Sequence, residues 1–153
     1  MYVKVPAFTG DAQAAKAYAN KLSAALKKDD YQAVVVDLRD NTGGNMYPMI
    51  AGLSSLLPDE DLFQFVYKNG SKSAVSRSDI LKQLGLEPTD EKAKKVPIAI
   101  LTNGKTGSSG EMTVLAFKGL ENVKILGQPT ASYTTGNNYY QRRCFSQENT
   151  DAN

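Results

Sequence analysis

Two aliphatic runs constrain this chain more than any other feature: Ala33-Val34-Val35-Val36-Asp37-Leu38 and Val96-Pro97-Ile98-Ala99-Ile100-Leu101. A near-continuous β-branched run of strand length is the mark of a strand buried on both faces, as in parallel sheets. Each run breaks into a cluster of glycine and small polar residues. The first cluster is Asp40-Asn41-Thr42-Gly43-Gly44-Asn45 and the second is Asn103-Gly104-Lys105-Thr106-Gly107. An apolar segment with helical spacing follows each cluster. Strand, turn and helix in repeated succession predict a mainly parallel sheet flanked by helices with right-handed crossovers, an α/β layered domain.

The remaining segments fit that frame. Residues 2–8 read as a strand that Pro6 ends or confines to an edge. Asp11 can cap a helix in which Ala15, Tyr18, Leu22, Ala25 and Leu26 recur on one face, with lysines in its last turn. A second helix is expected over 46–57, before Pro58. Residues 62–68 and 71–75 read as a hairpin about Asn69-Gly70. A short helix over 78–84 closes at Gly85, and 89–95 form a charged connector. Residues 108–118 read as a helix and 123–127 as the next strand. From Pro129 onward the chain is turn-rich, and nothing in 141–153 reads as an element.

At 153 residues the chain fits one domain. Its 18 basic and 16 acidic residues are interspersed, so no basic stripe points to nucleic acid, and no apolar run approaches membrane-spanning length. The single cysteine, Cys144, excludes an internal disulfide framework and reads as an incidental thiol in the polar tail. There is no histidine at all. That removes every Ser-His or Cys-His arrangement built from this chain alone and most zinc chemistry, so neither metal nor cofactor is expected.

In open parallel sheets, sites gather beyond the carboxyl ends of the strands. The two junctions are therefore the places to look. Helix starts there present unpaired backbone N–H groups suited to an anion or a developing oxyanion. Ser108, on the turn into a helix, is placed as a nucleophile would be. On local sequence alone the commoner role of such a serine is the N-cap, with Glu111 completing an S-x-x-E capping box. Gly43-Gly44 reads as a plain turn or as an oxyanion donor. It is not a phosphate loop, since no P-loop lysine and no G-x-G-x-x-G pattern are present.

Taken in order, four segments carry a resemblance. Residues 34–44, Val-Val-Val-Asp-Leu-Arg-Asp-Asn-Thr-Gly-Gly, resemble the hydrophobic-D-L-R-x-N-x-G-G segment of the C-terminal-processing (tail-specific) serine peptidases. Residues 98–111 resemble the family's strand followed by S-x-x-E, 125–130 its V-x-G-x-x-T segment, and 2–8 the strand that opens its core. The resemblance implies a ClpP/crotonase-like layered fold and a serine peptidase acting on peptides or unfolded proteins. It implies Ser108 as nucleophile, with the N–H of Ser109 and that of Gly43 or Gly44 forming the oxyanion hole.

For the base, family members carry a lysine in a T-x-G-K stretch, where this chain has Thr130-Ala131-Ser132-Tyr133. Tricorn-like relatives place a histidine in the opening strand, where Lys4 stands. Tyr133 and Lys4 are thus the candidate bases, and the isolated chain is expected to be inactive or weak. Residues 1–140 are expected to be the core of a larger domain, residues 141–153 a poorly ordered polar tail, and the location extracytoplasmic. The alternative is a peptidase-like module that binds a peptide or apolar ligand in the same cleft, as retinoid-binding relatives do.

Overall fold

The computed structural model describes residues 1–27, 30–88 and 92–134 and the backbone of 139–140. Cys144 and the segment 141–153 lie outside the described residues. In chain order the elements are β1 (Tyr2–Lys4), α1 (Ala12–Lys27), β2 (Val34–Asp37), α2 (Met46–Gly52), a 3-10 turn (Ser54–Leu56), β3 (Asp61–Val66), β4 (Lys72–Ser76), α3 (Arg77–Gln83), β5 (Ile98–Thr102), α4 (Ser109–Phe117), β6 (Val123–Gly127) and β7 (Tyr139–Tyr140). Together they form the ClpP/crotonase-like α/β layered fold, with a mainly parallel main sheet.

Four parallel strands form that sheet in the order β1-β2-β5-β6. Order in space follows order in the chain, so right-handed crossovers carry all the connecting helices to one face. Burial agrees. Val3, Val36 and Ile100 lie side by side in register and are buried, while the adjacent row of Tyr2, Val35 and Ala99 is exposed or half-buried. Within the 33–38 run Val34, Val36, Asp37 and Leu38 are buried and Val35 is half-buried, so the face away from the helices is covered less completely than the expectation of burial on both faces. A continuous β-branched run does not encode which face its helices choose. The strand over 123–127 is an edge, with Ile125 and Leu126 exposed.

The helices pack in a chain over the covered face. Ala15, Ala19, Leu22 and Leu26 of α1 are buried at helical spacing and α1 lies against α2. A Cβ on Gly52 would sit 2.7 Å from the Leu22 Cβ, so only glycine permits that approach. There the expected 46–57 helix ends early: Leu56 N–H reaches back only to the Leu53 carbonyl, tightening the chain into the 3-10 turn. α2 in turn meets α4, which is buried nearly all round, with Phe117 fully enclosed. Each such large apolar side chain contributes about 1.5–3 kcal/mol on burial.

The remaining strands form a small antiparallel sheet, β4-β3-β7. Its hairpin turns at Asn69-Gly70 as expected, with Gly70 at φ 81° and the Asn69 side chain accepting the Ser71 N–H. The pairing of Phe65 with Tyr140 and Val66 with Tyr139 was not foreseen. Among the described residues no helix is long and apolar enough to cross a membrane.

Candidate active site

β2 and β5 are neighbours, so the two glycine-rich junctions at their carboxyl ends lie side by side. Polar contacts lock them together. The Asp40 N–H donates to Asn103 Oδ1 at 3.0 Å, and Asn103 Nδ2 returns a bond to Asp40 Oδ1 at 3.0 Å. The buried Thr106 hydroxyl donates to the Leu38 carbonyl at 2.8 Å, and the Gly107 N–H donates to the Asn41 carbonyl at 2.9 Å.

Between the two junctions, Gly43 and Ser108 meet. A Cβ on Gly43 would lie 2.7 Å from the Ser108 Cβ and 3.1 Å from the Ser109 nitrogen. Gly43 has φ 111° and Gly44 φ 107°, a backbone that side chains resist. Gly44 is packed harder still, since its missing Cβ would run into the Phe8 carbonyl. Phe8 clamps this turn from the other side, its N–H donating to the Gly43 carbonyl and its carbonyl accepting the Asn45 N–H. The Gly44 carbonyl accepts the Ser109 hydroxyl at 2.5 Å. The Gly43 N–H donates to Asn41 Oδ1 at 2.9 Å, whereas the N–H groups of Gly44 and Ser109 donate to no described residue.

Ser108 itself stands at φ 49°, ψ −121°, immediately before α4. That conformation is costly for any residue with a Cβ and is the kind of strain found where function needs a side chain aimed at one place. The residues are arranged as a capping box, and the Glu111 carboxylate accepts the Ser108 N–H at 3.1 Å. The Ser108 hydroxyl, however, makes no cap hydrogen bond of ordinary geometry. Glu111 is buried and has further partners, the Thr130 hydroxyl at 2.5 Å and the Ser132 N–H at 2.8 Å. One carboxylate thus ties the Ser108 turn to the 130–133 loop.

That loop sets Tyr133 beside the same turn. A Cβ on Gly107 would be 3.3 Å from the Tyr133 ring and 3.4 Å from its hydroxyl oxygen, and Tyr133 is about half exposed. Lys4 is engaged elsewhere. Its ammonium donates to the Arg39 carbonyl at 2.6 Å and lies 3.3 Å from Asp37. Asp37 is buried and also accepts from Arg39 through two guanidinium nitrogens and from the Tyr2 phenol at 2.5 Å. The Arg39 guanidinium above all, helped by Tyr2, the Arg39 N–H and Lys4, holds the Asp37 carboxyl well below the usual carboxylate range against the cost of burial. The same hydrogen bond pushes the Tyr2 phenol up. Among the described residues no cluster of three His, Cys, Asp or Glu side chains could hold a metal ion.

Sequence reasoning had left Asn41, Thr130 and Ser132 without roles. Asn41 carried a readable signal, since an asparagine two residues before a glycine in a turn accepts that glycine's N–H with its own side chain.

The sequence model of peptidase family S41 matches residues 1–147. The chain belongs to peptidase family S41. The nisin-resistance protein of Lactococcus lactis subsp. lactis is 44% identical over 141 residues, 90% of this chain and 44% of that protein. A solved lipoprotein from Streptococcus agalactiae superposes with a TM-score of 0.81 at 45% identity, over 88% of this chain and 47% of that one. The photosystem II D1 C-terminal processing protease superposes at 0.60 with 24% identity over 84% of this chain and 30% of its own, a likeness of fold alone. The chain thus spans less than half the length of these relatives.

Proposed function

We propose that this chain carries the nucleophile and oxyanion hole of a serine-type, tail-specific peptidase. The observation that carries the reading is Ser108, a strained serine at the head of α4, packed against Gly43. In this reading the Ser108 oxygen attacks the carbonyl carbon of a peptide bond and its proton passes to a base. The carbonyl oxygen becomes an anion held by the N–H groups of Ser109 and Gly44, because the Gly43 N–H is engaged by Asn41. Collapse breaks the C–N bond, the amine leaves with a proton, and water releases the acyl group from Ser108. Each fixed donor aimed at the oxyanion is worth about 10²–10³ in kcat.

The base is the component this chain supplies least well. The sequence has no histidine, and the Lys4 ammonium is held by Asp37 and Arg39. Tyr133 stands close to the serine turn and is the nearer candidate within these residues. The reading therefore assigns full activity to the whole protein and predicts that the 153 residues alone turn over peptide very slowly or not at all. Peptides or unfolded proteins are the substrate class, and nisin is the first to test, since a relative is a nisin-resistance protein. That name and the lipoprotein relative favour a cell-envelope location.

The engagement of Lys4 favours a second reading for the isolated chain, a peptide-binding module without chemistry. The test is nisin hydrolysis by the full-length protein and by its Ser108→Ala variant. Cleavage that Ser108→Ala abolishes is expected. Binding without cleavage by the wild type would give the second reading the field.

A further inference from the structure

We propose that Asn41 is a positioning residue that sets the distance between Ser108 and the oxyanion donors. The inference rests on the serine-peptidase reading above and adds a part to it. Asn41 is fully buried, and each of its polar groups is engaged. Its backbone N–H donates to the Leu38 carbonyl at 3.1 Å, fixing the turn that leaves β2. Its backbone carbonyl accepts the Gly107 N–H at 2.9 Å. Its side-chain Oδ1 accepts the Gly43 N–H at 2.9 Å, and Nδ2 donates to the Val5 carbonyl at 2.9 Å and touches the Met49 sulfur at 3.5 Å.

Gly107 immediately precedes Ser108, and Gly43 immediately precedes Gly44. One residue therefore holds the residue before the nucleophile with its main chain and the residue before an oxyanion donor with its side chain. The first turn of α4 also abuts it, since a Cβ on Gly110 would be 2.6 Å from the Asn41 carbonyl oxygen.

The chemistry calls for an amide. The group facing Gly43 must accept and the group facing Val5 must donate, and asparagine does both at this length. An ionised aspartate would present two acceptors, one of them to the Val5 carbonyl. An apolar residue would leave the Gly43 N–H and the Val5 carbonyl buried without partners. By occupying the Gly43 N–H, Asn41 also orients the peptide that follows and leaves the Gly44 N–H as the donor.

The test uses the full-length protein and a peptide substrate. Asn41→Ala is expected to lower kcat about a hundredfold, the scale of a 1 Å misplacement in a preorganised site, with KM changed by less than about threefold. Affinity for a peptide aldehyde, which forms a tetrahedral adduct, should fall in parallel with kcat/KM. Leu26→Ala, a cavity variant in α1 remote from the junctions, serves as the stability control and should keep wild-type kcat. Asn41→Asp keeps the acceptor for Gly43 and should fall between wild type and Asn41→Ala. It carries the test if the alanine variant does not fold.

A folded Asn41→Ala with kcat equal to that of Leu26→Ala would overturn the proposal, as would wild-type kcat in Asn41→Asp where that variant stands in. Ser108→Ala separates the two levels. If it abolishes turnover while the Asn41 variants are undiminished, only the positioning role fails. If turnover survives it, the nucleophile reading fails and the positioning role with it.

Discussion

At φ 49° the Ser108 Cβ crowds its own backbone, a cost of about 1–3 kcal/mol that the two locked junctions hold in place. Replacing the serine separates that strain from its chemistry. Ser108→Gly and Ser108→Ala should both be inactive in the full-length protein, but the glycine variant relieves the strain. It is expected to be more stable than the alanine variant by about 1 kcal/mol, read as a difference in denaturant midpoint. Equal stabilities would mean that the turn is relaxed and the strain argument wrong. Gly44 gives the opposite contrast. Gly44→Ala combines φ 107° with a collision against the Phe8 carbonyl, and should lose at least about 2 kcal/mol. Gly70→Ala, at φ 81° in open space, carries only the backbone cost of about 1 kcal/mol. If the two losses match, the close packing of Gly44 on Phe8 plays no part.

Between residues and whole fold lies the cluster at the end of β2, where Asp37 joins β1 to the first junction. Its folded carboxyl titrates below its ordinary value of 3.8, so its contribution is present above about pH 4 and is lost as pH falls below it. The Tyr2 phenol is raised, so its smaller contribution holds below its ordinary value of 10 and fades as pH rises above it. The melting temperature should therefore drop on acidification below pH 4, and Asp37→Asn should flatten that drop. The same variant should cost about 1–3 kcal/mol at neutral pH, because the charge-assisted bonds to Arg39 and Tyr2 weaken together. An acid limb unchanged by Asp37→Asn would assign it to other carboxylates.

Elements of this kind divide into those the sequence states and those it leaves to tertiary structure. The strands of the main sheet were legible because β-branched runs have few alternatives, and the junctions because glycine and small polar residues interrupt them. The Asp11 cap was legible too, and Ala14 N–H does donate to its side chain at 2.8 Å. β7 was not, since two tyrosines form a strand only through Phe65 and Val66, more than seventy residues earlier. Nor was the meeting of Glu111 with Thr130 and Ser132, because a capping box fixes Glu111 to its own turn and says nothing of a loop beyond the next strand.

At the scale of the molecule, a monotonic strand order places the helices on one face and both junctions at one end of the sheet. The chain belongs to peptidase family S41 and spans less than half the length of its relatives, and at that end it packs the Ser108 turn against Gly43. The central claim is that Ser108 acts as a nucleophile and not only as the cap of α4. The most direct measurement is peptide hydrolysis by the full-length protein carrying Ser108→Asp, alongside its melting temperature. Aspartate caps a helix as well as serine does, so the fold should survive, but it fixes a negative charge where the oxyanion must form. The account predicts a folded protein with no turnover. Wild-type turnover in a normally melting Ser108→Asp variant would contradict it and leave Ser108 only as the residue that opens α4.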